Sequence, residues 1–252
     1  MNDAVIEVRH LAKHFDRVQA VKDVSFSVAP GSICALLGGN GAGKTTTLSI
    51  LLGLLLPSSG SVRILGEDML AHRYQVLPRM NFASPYVDLP HRLSVEQNLG
   101  IYARLYGVRR LRERIRTLAR DLDLEALLKR RYGTLSAGQK TRVSLAKAML
   151  NHPDVLLLDE PTASLDPDTG DRVRGYLMDY QASSGATLLL ASHNMLEVER
   201  MCDSVIMMHQ GVIVDQGRPA ALVQRYGHRD LEEVFLHVAR DGQDTEIRSR
   251  AL

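Results

Sequence analysis

Short apolar runs rich in β-branched residues recur along the chain: Ile6 to Val8, Val24 to Val28, Ile33 to Leu37, Val62 to Leu65, Val155 to Leu158, Thr187 to Ala191, Val205 to Met208 and Val212 to Val214. Their length and content predict strands. Residues with helical period follow three of them, at Thr45 to Leu54, Thr169 to Ser183 and Asn194 to Met201. That alternation predicts an α/β fold with a mostly parallel sheet covered by helices. From Val95 to Leu150 the rhythm changes to consecutive helical patterns with no convincing strand between them. This stretch reads as a helical insertion in the α/β core. No internal repeat is visible.

A chain of 252 residues, 45% of them hydrophobic, can bury a continuous core. The longest apolar run, Leu48 to Leu56, contains Ser49 and Gly53 and stops at Pro57. It falls far short of the ~20 residues that cross a bilayer. The first ten residues mix acids, bases and β-branched groups without the apolar stretch of a secretory signal, so the expectation is a cytoplasmic protein. Cys34 and Cys202 stand in apolar surroundings with no metal-ligand spacing and read as reduced core thiols. A net charge of +2 gives no reason to expect nucleic acid as a partner. Bases do outnumber acids between Arg104 and Arg131, which suits a solvated helix face or contact with anionic lipid or acidic protein groups.

The run Ile33 to Leu37 leads directly into G-G-N-G-A-G-K-T, Gly38 to Thr45, and an apolar helix follows. This is the strand, G-x-x-x-x-G-K-[ST] and helix order of a phosphate-binding loop. Gly38, Gly41 and Gly43 allow positive φ and close approach of the backbone to a polyphosphate. Gly39, Asn40, Ala42 and Thr46 complete the cradle. Lys44 neutralises β and γ oxygens, the helix start turns its positive end toward them, and the Thr45 hydroxyl suits Mg²⁺. By itself the loop does not separate a kinase from a GTPase or a transporter.

The fully apolar run Val155 to Leu158 ends in Asp159-Glu160. Carboxylates at the C-terminal end of a buried strand stand where α/β folds bind ligands. Asp159 suits the metal's hydration shell, and Glu160 suits a general base that polarises a water for attack on the γ-phosphate. Ser192-His193 follows the next strand, making His193 a candidate γ-phosphate sensor.

Between these elements lies L-S-A-G-Q, Leu135 to Gln139, ahead of a predicted helix from Thr141 to Leu150. A serine and a glycine amide at a helix start form a second anion site. Here the sequence resembles the ABC ATPases, whose signature is usually L-S-G-G-Q; Ala137 is a small-for-small change. The resemblance implies a P-loop NTPase (RecA-like) core, an N-terminal antiparallel β subdomain and a helical insertion specific to the family. It implies one cassette over 1–240, with core 1–85 and 151–227, a helical subdomain at about 86–150 and a charged tail at 241–252. It further implies that Ser136, Gly138 and Gln139 clamp ATP held by a second subunit, that Phe15 stacks on adenine and that Asp166 couples the two sites. ATP and Mg²⁺ are the implied cofactors. The implied partners are a second nucleotide-binding subunit, identical or paired, and integral membrane permease subunits that hold the chain to the inner face of the membrane.

One segment departs from the family. Where a glutamine usually ligates the metal, this chain reads N-F-A-S-P-Y and places Ser84 or Pro85. Metal ligation is then expected from Thr45, Asp159 and water, with coupling to the permease altered. The phrase Asp230 to Leu236 looks like the ending of ATPases of ABC-2 type exporters, which favours export; an amphipathic helix packing Val234, Phe235 and Leu236 explains it equally well. A soluble ABC ATPase working as a mechanical switch on nucleic acid or ribosomes is the competing class, although its two cassettes or long coiled-coil insertion are not found here. A small-molecule kinase gives no reason for L-S-A-G-Q.

Overall fold

In the computed structural model, which describes residues 4–238, the first two apolar runs grow into long strands, β1 (Ile6–Phe15) and β2 (Val18–Val28). Most of their added residues are half-buried or exposed, with Leu11 and Val21 the buried ones. A run of apolar residues alone undercounts such half-buried strands, whose polar positions face water. The chain continues through β3 (Ile33–Leu37), α1 (Lys44–Leu51), β4 (Ser59–Ile64), β5 (Glu67–Asp68) and the short α2 (Arg73–Val76). Then come β6 (Met80–Ala83), α3 (Val95–Leu105), α4 (Leu111–Asp121), α5 (Ala137–Ala148), β7 (Val155–Asp159), α6 (Pro167–Ser184) and β8 (Thr187–Ser192). The chain continues through α7 (Met195–Met201), β9 (Ser204–His209), β10 (Val212–Gly217) and α8 (Pro219–Tyr226). These residues form two units, one of residues 4–73 with 191–238 and one of residues 74–190.

In the first unit β2, β1, β4 and β5 lie side by side as an antiparallel sheet. Ile6 sits between Val28 and Ile64, and Val8 between Phe26 and Val62, which gathers the apolar positions on one face. β3 pairs in parallel with β9, from Cys34 beside Ser204 to Leu37 beside Met207, and β10 closes on β9 in antiparallel fashion. α1 stops at Leu51, earlier than its apolar run suggested, because Gly53 turns at φ 67° and the amides of Leu54 and Leu55 both bond back to the Ser49 carbonyl. Cys34 and Cys202 are buried free thiols; burial pushes Cys34 up to about 11 and raises Cys202 as well, so neither offers a thiolate. Near the end of the described residues, Asp230 accepts the Glu233 amide at 2.9 Å and residues 231–238 are helical. Leu231, Val234 and Val238 are buried there while Phe235 is half-buried and Leu236 exposed, so of the expected Val234, Phe235 and Leu236 only Val234 is fully in the core. The tail at 241–252 lies outside the described residues.

In the second unit β6 pairs in parallel with β7, Met80 beside Val155 through Ala83 beside Leu158, and β8 lies next to β7. Every residue of β7 and β8 is buried, which is what their unbroken apolar runs require. α6 begins earlier than its apolar period suggested because Asp166 caps it ahead of Pro167, and Gly185 ends it in the left-handed region. Residues 95–150 contain α3, α4, α5 and short 3₁₀ turns, without a named strand. α3 and α5 both start with a serine and glutamine in reciprocal capping, Ser94 with Gln97 and Ser136 with Gln139. That cap starts α5 at Ala137, four residues ahead of the predicted Thr141.

α5 also carries an ammonium group into the interior. Lys147 is 9% exposed, its Nζ donates to the Phe82 carbonyl at 2.7 Å, and it lies 5.9 Å from the centre of the Tyr102 ring. Loss of hydration lowers it from 10.5 to about 8. The folded chain therefore bears the cost of a buried charge at every pH below 8 and sheds it as pH rises toward 10.5. Denaturant unfolding of the wild type relative to Lys147→Met should show wild-type stability rising by on the order of 3 kcal/mol over that window. A difference that stays flat with pH contradicts the burial of a charged Lys147.

Candidate functional site

Within the first unit, the loop between β3 and α1 folds tightly because two of its glycines meet backbone. A Cβ on Gly38 would stand 2.6 Å from the Met208 carbonyl oxygen, and one on Gly43 would stand 2.7 Å from that of Ala20. Gly41 and Gly43 take φ of 77° and 102°; Gly38 does not take positive φ, so its role is the close approach and not the left-handed turn expected of it. Lys44 is buried and curls over the loop, its Nζ donating to the carbonyls of Gly38 at 2.6 Å and Gly39 at 3.1 Å. α1 starts with Gly43 at its cap position, no side chain caps it, and no acidic residue stands in its first turn. Its leading amides thus face a site that suits an anion. Asn40, Gly41 and Thr45 are exposed, while Ala42 is buried and Gly39 and Thr46 are half-buried.

The second unit carries the carboxylates. Asp159 ends β7 at 5% exposure, and Glu160 follows at 8% with a φ of 48°. A non-glycine residue in that region carries strain that its surroundings must hold in place. Two bonds shape the loop beyond it, from the Ala163 amide to the Glu160 carbonyl and from the Leu165 amide to the Thr162 carbonyl. The loop ends at Asp166, whose side chain accepts the Thr169 amide at 3.0 Å; that bond is the main reason its carboxyl lies below the usual range.

The start of α5 meets this same loop. A Cβ on Gly138 would lie 3.0 Å from the Ser164 carbonyl oxygen and 3.3 Å from the Leu165 side chain, so glycine lets the helix seat there. Ser136 accepts the Gln139 amide at 3.3 Å, and the Gln139 side chain accepts the Ser136 amide at 3.0 Å. Ser136 and Ala137 are nevertheless exposed. Gln139 therefore has a structural duty at the helix cap that its place in the motif did not announce.

Comparison with known proteins agrees with these motifs. A profile of the ABC transporter family matches residues 21–163. Over 241 residues the chain is 35% identical to Nod factor export ATP-binding protein I of Paraburkholderia xenovorans, which covers 93% of this chain and 78% of that protein. Over 222 residues it is 34% identical to the ABC transporter ATP-binding protein NatA of Bacillus subtilis, covering 87% and 90% respectively. The chain belongs to the ABC transporter family. It is an ATP-binding, ATP-hydrolysing subunit of that family. Its fold superposes on a solved ATP-binding subunit of an ABC transporter with a TM-score of 0.86 at 28% identity, over 93% of this chain and 99% of the other. A dimeric ATP-binding cassette bound to ADP and phosphate, 21% identical with a TM-score of 0.79, shares the fold.

Other residues that the ABC resemblance singled out fall in varied surroundings. Phe15 is 44% exposed at the end of β1, with Lys13 Nζ 5.0 Å from its ring centre. His193 is exposed in the turn between β8 and α7. Two buried neighbours shape that turn: Ser192 donates to Glu197 at 3.2 Å and accepts the Asn194 amide at 3.0 Å. Glu197, at 2% exposure, was not anticipated, since a glutamate in a helix pattern reads as solvated. Of Ser84 and Pro85, Ser84 is the buried one, at 4%, with its hydroxyl 3.4 Å from Asp159 Oδ2.

Glycine substitutions separate close approach from ordinary helix propensity. Gly43→Ala should lower nucleotide affinity at least about tenfold and destabilise the fold by about 1–2 kcal/mol, because a left-handed alanine is strained and its Cβ meets the Ala20 carbonyl. Gly175→Ala on α6, where an added Cβ meets nothing within 4 Å, should leave stability unchanged or raise it by up to about 1 kcal/mol. Nucleotide titration and denaturant unfolding of both variants check the pair; equal effects would contradict this account of the loop.

Proposed function

We propose that this chain energises export through a separate membrane permease, working as a head-to-tail dimer with a second nucleotide-binding subunit, identical or paired. In this reading ATP lies on Gly38 to Thr46 of one subunit, with Lys44 on its β and γ oxygens and Phe15 against its base. Ser136, Gly138 and Gln139 of the opposite subunit close over the γ-phosphate, and Asp166 couples the two sites. The observation that carries the reading is the exposed start of α5: an anion-seeking helix end whose serine is already in place, open on the surface of its unit. Export is supported by the relatives, one of which is named for Nod factor export.

Thr45 offers a hydroxyl and Asp159 a carboxylate, hard oxygen donors of the kind Mg²⁺ takes. Bound there, the ion would neutralise charge on the β and γ oxygens. Glu160 would take a proton from the water that attacks the γ-phosphate, and His193 would hold the oxygen of the departing phosphoryl group. ATP binding then closes the pair and loss of the γ-phosphate reopens it, a population shift that the permease turns into alternating access.

The permease is expected against residues 85–106, on the helical subdomain at about 86–150 that we set apart from core segments 1–85 and 151–227. Tyr86, Val87, Ile101 and Leu105 expose apolar surface there, and a groove of about 580 Å³ opens between α3 and α4. Several of the surplus bases nearby are spent locally: Arg110 pairs with Glu113, Arg120 with Asp121, and Arg104 donates to the Gly100 carbonyl. No helix among the described residues is long and apolar enough to cross a membrane, which suits a peripheral subunit held at the inner face by its permease.

Glu160→Gln should slow ATP hydrolysis by roughly 10²–10⁴-fold and trap the ATP-bound pair. Light scattering should then report a dimer at saturating ATP, with slowed amide exchange at residues 136–139. A variant that stays monomeric with unprotected 136–139 under those conditions would overturn the dimer.

A further inference from the structure

Three side chains on one face of α5 reach the same segment of chain. Lys147 Nζ donates to the Phe82 carbonyl at 2.7 Å, Ser144 Oγ donates to the Ser84 carbonyl at 3.5 Å, and Lys140 Nζ lies 3.4 Å from Asp88 Oδ1. Positions 140, 144 and 147 follow the i, i+4, i+7 spacing of a single helical stripe. The stripe thus fastens the stretch from the end of β6 to Asp88 along α5, the helix that Ser136 caps.

Ser84 sits within this fastened stretch and turns its side chain the other way. Its hydroxyl is buried, accepts the Tyr86 amide at 3.2 Å and donates to Asp159 Oδ2 at 3.4 Å. The acceptor role fixes the hydroxyl's lone pair, so its proton is left to point at the carboxylate. The contacts of Ser84 with its neighbours on β7 and α5 span 3.4 and 3.5 Å.

We propose that Ser84 is a positioning residue for Asp159: its hydroxyl orients the carboxylate, and α5 holds the backbone around the serine, so that the aim of the carboxylate follows the helix carrying Ser136. The proposal rests on the reading of Asp159 as a metal-binding group. A serine here has no amide to reach a metal directly. It acts on the metal's carboxylate, one bond further out, in the way that outer hydrogen-bond partners orient metal ligands.

The test titrates Mn²⁺ into the full chain in the presence of ADP and follows bound Mn²⁺ by electron paramagnetic resonance. Ser84→Ala should weaken Mn²⁺ binding by roughly tenfold. Its ADP affinity in EDTA and its melting temperature should stay close to wild type. Ser84→Thr, which keeps the hydroxyl, should restore most of the Mn²⁺ affinity, and Ser144→Ala should weaken it in the same direction by a smaller factor. Unchanged Mn²⁺ binding in Ser84→Ala overturns the proposal, as does an equal loss in Ser84→Thr or a matching loss of ADP affinity in EDTA. A wild-type chain that binds ADP but takes up no Mn²⁺ would instead overturn the reading of the metal site, and this inference with it.

Discussion

The constraint on which the rest depends is the close approach of the loop after β3 to neighbouring backbone, which leaves the leading amides of α1 uncapped and suited to an anion. A Cβ at Gly38 or Gly43 would strike the carbonyls of Met208 or Ala20. The loop packs directly against those backbones, leaving no room for a side chain there. Lys44 folds over the carbonyls of Gly38 and Gly39 and is buried there.

The second unit solves a different problem, which is to hold carboxylates and a helix end in register with one another. β7 is buried along its whole length and delivers Asp159 and Glu160 at a defined height. The left-handed φ of Glu160 turns the chain sharply into a loop that α5 contacts through Gly138 and that Asp166 finishes by capping α6. The strain at Glu160 is tolerable because both ends of that loop are fixed.

α5 is the busiest element of the second unit. Its start offers Ser136 to solvent, its first turn packs on the loop after Glu160, and its flank grips the segment containing Ser84. Burying Lys147 in that grip costs free energy, as its lowered titration point shows. An apolar side chain would pack there more cheaply but would leave the Phe82 carbonyl without its donor.

The sequence by itself determined most strands, the glycine-rich loop after β3, the acidic end of β7 and the signature motif, because each rests on local chemistry: glycine freedom, unbroken apolar runs and residue order. It placed helix starts less well, as at α5, where reciprocal capping by Ser136 and Gln139 moved the boundary to Ala137. It undercounted β1 and β2, whose polar residues belong to strands with one face in water. Only the tertiary structure decided that Gly38 serves close approach and not a left-handed turn, that Glu197 is buried beneath the His193 turn, and that Ser84 and not Pro85 faces Asp159. These depend on groups far apart in the chain, such as residues 38 and 208 or 84 and 159, and no local pattern records which distant partner a side chain or a Cβ will meet.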